Sequence, residues 1–176
     1  MLASGKVLLV LLAAVMAPVQ PWTEFKSPEG GFAIRFPRKP DYEVQPAEAG
    51  SPTIHMYTSA LGDDVYIASF HDMPISGALD EVAGILHSAR DGFAGGVGGK
   101  VADQKPFTFG PLKGLEFAVE AEGVYATARL YLVGKRLYQI AVMGSKDNRK
   151  DTDVRRYLES FRLLNEGRDD GARAGG

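Results

Sequence analysis

The chain contains no cysteine. That excludes structural disulfides, thiolate metal sites, cysteine nucleophiles and a lipid-modified cysteine anchor. It also lacks an excess of either charge: 20 Lys and Arg stand against 22 Asp and Glu, a formal net charge of −2. A balance so close to zero supplies neither a nucleic-acid surface nor a surface for strongly anionic lipid. There is no Gly-x-Ser-x-Gly nucleophile elbow and no internal repeat. Tryptophan occurs once, at Trp22.

The one long apolar run is Val7–Ala17. It follows Lys6 and the amino terminus and ends in small residues, which is the layout of an export signal. As a helix, Val7 to Val19 would span about 20 Å, against roughly 30 Å of bilayer hydrocarbon, too short for a stable membrane span. A buried helix of the fold is the alternative, but no polar stripe interrupts the run. Val15 and Ala17 suit a cut after Ala17, whereas Pro18 would then follow the cut. Cleavage and an uncleaved tether at the membrane face both stay open. The expected organisation is residues 1–21 as signal or N-terminal anchor, 22–165 as a single domain, and 166–176 as a disordered polar tail. The central segment can bury roughly two thirds of its unfolded surface, so it needs no covalent staple. A periplasmic or secreted location is expected, away from nucleotides and nucleic acid.

Period-two and period-3.6 patterns divide the domain. Trp22 to Lys26 reads as a strand, Ser27–Gly31 as a turn, and Phe32, Ile34 and Phe36 as the buried side of a second strand ended by Pro37 and Pro40. A weak strand lies around Tyr42 to Val44. Thr53 to Ala60 and Val65 to His71 form a hairpin over Leu61–Asp64. Leu79, Val82, Ala83, Leu86, Ala89 and Phe93 share a helical face, which predicts a helix over 77–94 stopped by the glycines at 95–99. Lys100 to Phe109 returns to strand, with Pro106 marking an edge. Leu115, Phe117, Val119 and Ala121 alternate with Glu116, Ala118 and Glu120. A turn at Glu122-Gly123 sets Val119 opposite Ala126 and Glu116 opposite Arg129, an opposite-charge pair. Gly134-Lys135 suits a type II′ turn that pairs Tyr131 with Tyr138 and Leu132 with Leu137. Leu137–Met143 is apolar on both sides of its pleat, so it belongs in the middle of a sheet covered on both faces. Val154, Tyr157, Leu158 and Phe161 predict a last helix over about 153–164, capped by Asp151 or Thr152. This order predicts an α+β fold, an α-β-α sandwich with a mainly antiparallel sheet and a helix on each face. Phe117, Leu130, Ile140, Phe161 and Leu86 are expected in the core.

The opening Trp22–Pro40, with Lys-Ser-Pro-Glu-Gly-Gly-Phe-Ala-Ile-Arg-Phe-Pro at 26–37, resembles the start of small exported bacterial domains related to PsbP. So do Ala128–Val133 and Tyr157–Leu163. The resemblance spans about residues 22–164. It implies the same α-β-α sandwich and a mostly non-enzymatic group: lumenal photosystem subunits, a nuclear import factor that binds the GTPase Ran, and envelope proteins. No binding residue carries over, and the manganese- or calcium-related roles of photosynthetic members have no matching motif here.

No candidate for chemistry meets its own geometric requirements. Gly95–Lys100 is glycine-rich, but it follows a helix and precedes a strand, the reverse of a phosphate loop, and Val101 replaces the required Ser or Thr. Asp80, His87 and Asp91 share a helix face that reads as solvated. His55 and His71 lie on separate strands, and nothing brings them to His87 for a zinc site. Glu116 and Glu120 lie about 13 Å apart along a strand, too far for paired-carboxylate hydrolysis. Their face, with Glu122 beside it, reads as solubilising. Asp147–Asp153 has the acids of a calcium loop without its glycine or closing glutamate. Tyr125, Tyr131 and Tyr138 share a face with Ile140 and Val142, which reads as core. The expectation is therefore a non-enzymatic binding or assembly module of the bacterial envelope, with no catalytic, cofactor-binding or metal residue and no cofactor. Its expected partner is another envelope protein, not nucleic acid or nucleotide. The alternatives are a small-ligand or lipid carrier with a cavity between sheet and helix, and a hydrolase without a recognisable motif.

Overall fold

A computed structural model describes residues 21–48, 52–73, 82–110 and 112–164. The expected signal or anchor at 1–21, all but its last residue, the expected tail 166–176, Asp80 and the start of the first predicted helix lie outside these residues. The elements run β1 (Thr23–Ser27), β2 (Phe32–Phe36), β3 (Asp41–Gln45), β4 (Ile54–Leu61), β5 (Asp64–Asp72), α1 (Val82–Val97), β6 (Lys100–Phe109), β7 (Leu112–Ala121), β8 (Val124–Val133), β9 (Arg136–Gly144), α2 (Thr152–Glu159) and β10 (Arg162–Leu163).

Seven strands form one antiparallel sheet in the order β3-β4-β5-β9-β8-β7-β6. The doubly apolar β9 takes the centre and Pro106 sits on the edge strand β6, as the pattern requires. The hairpin registers follow the turn chemistry: Val119 opposes Ala126, Glu116 opposes Arg129 and Tyr131 opposes Tyr138. Gly123 and Gly134 supply the positive φ at these turns, 68° and 58°. On one face, α1 lays Leu86, Ala89 and Phe93 on Leu115, Phe117, Val119, Ala128 and Leu130. The helix runs through Gly95 and Gly96 and ends at Gly98, with φ 70°. There Gly99 N–H donates to Ala94 O and Gly98 N–H to Gly95 O, the paired bonds of a Schellman end. These glycines are a helix terminus, not an anion cradle.

The second face corrects the α-β-α sandwich. The described residues are mostly antiparallel strand with only two short helices among them, and this face carries a second sheet, β1-β2-β10. The reason is dimensional. An eight-residue helix is about 12 Å long, whereas seven strands span roughly 29 Å. Phe32, Ile34 and Phe36 of β2 supply the missing apolar surface. They pack with Val154, Tyr157, Leu158 and Phe161 against Tyr66, Phe70, Tyr131, Tyr138, Ile140 and Val142. All five residues expected in the core are buried.

The last helix is also shorter than its apolar spacing predicts. Asp151 caps it as expected, its side chain accepting from the N–H of Asp153 at 2.7 Å and of Val154 at 3.2 Å. It stops at Glu159, with Ser160 N–H bonded to Tyr157 O. Phe161 therefore packs from extended chain, not from a helix, and the chain continues as β10 along β2. Tyr157 is fully buried and its hydroxyl has no hydrogen-bond partner among the described residues. Such a group pays desolvation with no return bond. Tyr157→Phe is expected to raise stability by about 1 kcal/mol, read as a higher denaturation midpoint at unchanged slope. A lower midpoint would mean that the hydroxyl is bonded.

Candidate functional site

β6, β7 and β8 place Lys105, Glu116 and Arg129 in one row across three neighbouring strands. All three point away from α1, because Leu115 and Phe117 flank Glu116 and face it. α2 then brings Arg155 over the row from the second layer. The Glu116 carboxylate accepts from Arg129 Nε at 2.7 Å and from Arg155 Nη1 at 2.8 Å, and Lys105 Nζ lies at 3.0 Å. Its side chain is 8% exposed, and that of Arg129 12%. Arg129 also donates to the Leu158 carbonyl at 3.2 Å and lies over the Phe107 ring. Burial pushes the Glu116 carboxyl upward, but hydrogen bonds from Arg129, Lys105 and Arg155 outweigh it and hold the group down to about 2.

This row borders an open cleft of about 450 Å³, closed on its other side by Asp147, Arg149 and Lys150. Arg149 is held between Asp147 and Glu120, with its Nη2 at 3.3 Å from the Glu120 carboxylate. Hydrogen bonds from Arg149 hold the Asp147 carboxyl down to about 2. Thr127 donates its hydroxyl to buried Asn148 at 2.8 Å. Near neutral pH, carboxylates held this low neither donate nor accept protons usefully. The threonine is bonded to an amide, not to a base. The cleft can present fixed charges and hydrogen bonds. It offers no nucleophile–base pair among the described residues.

The residues singled out by sequence do not converge. His87 and Asp91 are exposed on α1, and Asp91 is taken by Arg90 at 2.6 Å. His55 stacks on Phe70 at 4.5 Å between ring centres and shares a hydrogen bond of 2.8 Å with the Tyr42 hydroxyl. His71 follows Phe70 on β5, so it faces the other side of the sheet. Its Nε2 lies 3.2 Å from Met73 Sδ, and burial pushes its pKa down. No three metal-ligating side chains meet among the described residues. Glu122 is exposed. Tyr131 and Tyr138 are core, while Tyr125 is half-buried. Sequence reasoning found the Glu116–Arg129 pair but took the Glu116 face as solubilising. The structure instead buries Glu116 and surrounds it with three cations.

No family model and no curated protein matches the sequence. Solved structures do match the fold. Cyanobacterial PsbP from Synechocystis is similar at a TM-score of 0.58 and 9% identity, over 88% of this chain and 98% of that one. The Ran-binding protein Mog1p of Saccharomyces cerevisiae is similar at 0.50 and 7% identity, over 82% and 96%. The chain therefore has the PsbP-like fold. At these identities the likeness is one of architecture, and function rests on the site.

Proposed function

We propose that this chain is an exported, non-enzymatic binding module of the bacterial envelope that docks another protein on the Lys105–Lys150 cleft. The observation that carries the reading is the state of Glu116. It is buried, ionised and engaged by three cations, so the cleft is electrostatically preorganised for recognition and poorly suited to proton transfer. The fold shared with a Ran-binding protein supports a protein partner by analogy alone. The carrier alternative would need room between layers, and both spaces beside the large sheet are filled by buried aromatic and aliphatic side chains. The apolar run Val7–Ala17 supports export.

A photo-crosslinking residue at exposed Lys150 is expected to capture a discrete envelope protein in living cells. The same residue at exposed His87, on the far side of the sheet, is expected not to. Equal capture from both positions, or none from Lys150, would defeat the reading. In the same cells, replacing Leu9 and Leu11 with Asp is expected to retain the protein in the cytoplasm. Unchanged fractionation would remove the export half, and the size of the exported form separates cleavage from tethering.

A further inference from the structure

On the other side of Arg155 lies a second groove, of about 510 Å³, between the exposed face of the small sheet and α2. It draws arginines from three elements: Arg35 of β2, Arg155 and Arg156 of α2, and Arg162 of β10. Among the described residues, Glu24 and Glu159 are its only acids, and no lysine lines it. Arg155 is committed to Glu116, and Arg162 meets Glu24 at 2.9 Å. Arg35 and Arg156, both exposed, have no ion-pair partner among the described residues. Arg156 lies over the Trp22 ring at 5.1 Å, which steadies its plane and leaves its N–H edge open. The Arg35 backbone N–H donates to Ser160 Oγ at 3.0 Å and ties β2 to the end of α2. The two free guanidinium groups therefore stand on connected elements.

Planar guanidinium groups with unused N–H pairs match carboxylates in a two-pronged geometry. The chain as a whole is slightly acidic, so this groove is a local reversal of sign. Glu24 is neutralised by Arg162, so the groove keeps a net positive charge toward an anionic ligand. We propose that the groove binds an acidic peptide segment, rich in Asp or Glu, of a partner protein, with Arg35 and Arg156 as the principal carboxylate contacts. This surface is separate from the Lys150 cleft and stands or falls independently of it.

The test uses the full chain and a synthetic six-glutamate peptide at low salt. Fluorescence of Trp22, the only tryptophan and a neighbour of Arg156, reports the groove. Saturable binding is expected, weakened at least about tenfold by Arg35→Gln with Arg156→Gln and unchanged by Lys150→Gln. Arg35→Gln alone, at an exposed position, guards against a folding defect from the loss of the Arg156–Trp22 contact and is expected to weaken binding measurably. A six-lysine peptide is expected not to bind. No saturable binding, undiminished binding to the double variant, or equal competition by inorganic phosphate at matched charge would overturn the proposal. So would binding that appears only after Asp169→Asn with Asp170→Asn, since the chain's own tail would then be the occupant.

Discussion

Glu116→Gln is expected to lower the stability of the folded domain by about 3–5 kcal/mol, the range for removing one partner of a buried ion pair. Three cations converge on this carboxylate, and the side chain of one of them, Arg129, is only 12% exposed. An amide at 116 can accept hydrogen bonds but cannot neutralise them, so Arg129 keeps its charge without compensation. The same group makes stability depend on pH with a defined sign. Its folded pKa, held to about 2, is below the ordinary 4.5. The stabilisation is therefore complete above about 4.5 and lost as pH falls from there toward 2, by about 3 kcal/mol in all. Urea unfolding of the wild type across this window should show the loss, and Glu116→Gln should flatten that part of the curve. A variant within about 1 kcal/mol of wild type at pH 7, or one with an unchanged pH slope, would mean that the row is no more than a surface cluster.

Glu116 also marks how far sequence reasoning reaches. Its cross-strand partner Arg129 follows from a two-residue turn and the period of a strand, because a hairpin register is local. Lys105 is local in the same sense: the turn after Phe109 sets it across from Glu116. That register was available and went unused, because Glu116, Glu120 and Glu122 together look like a solvated face. Arg155 is different. It is 39 residues from Glu116 and arrives with α2, and no pattern in the chain states where a second layer docks. The groove arginines are scattered in the same way, one from β2, two from α2 and one from β10. Period and turn chemistry specified nearly every strand and the centre of the sheet. They could not decide which material would roof the second face, since that depends on the width of a sheet that long-range pairing builds. The expected sandwich with a helix on each face gives way there to a second sheet, and the last helix stops at Glu159.

Phe161→Ala is expected to cost about 3–5 kcal/mol, a large share of the 5–15 kcal/mol that holds a single domain together. Phe161 is 2% exposed and sits where the two sheets meet. Its ring stacks on Tyr131 at 4.7 Å and on Phe32 at 5.7 Å, and it touches Tyr138 and Phe109 at 5.4 and 5.8 Å. Four neighbours from β2, β6, β8 and β9 would line the cavity left by truncation, and their rigid rings relax poorly into it. Because Phe161 leads directly into β10, the damage should extend to the docking of the small sheet. Trp22, edge-on to Tyr66 in that layer, should report it as a change in near-ultraviolet circular dichroism. Phe117→Ala should cost a similar amount, since Phe117 is as deeply buried beneath Phe93 of α1, but it should leave the Trp22 signal unchanged. Equilibrium unfolding of both variants separates the two cores. Losses below about 1 kcal/mol at both positions would mean that neither ring is packed, whereas equal loss of the Trp22 signal in both would mean that the two faces unfold as one layer.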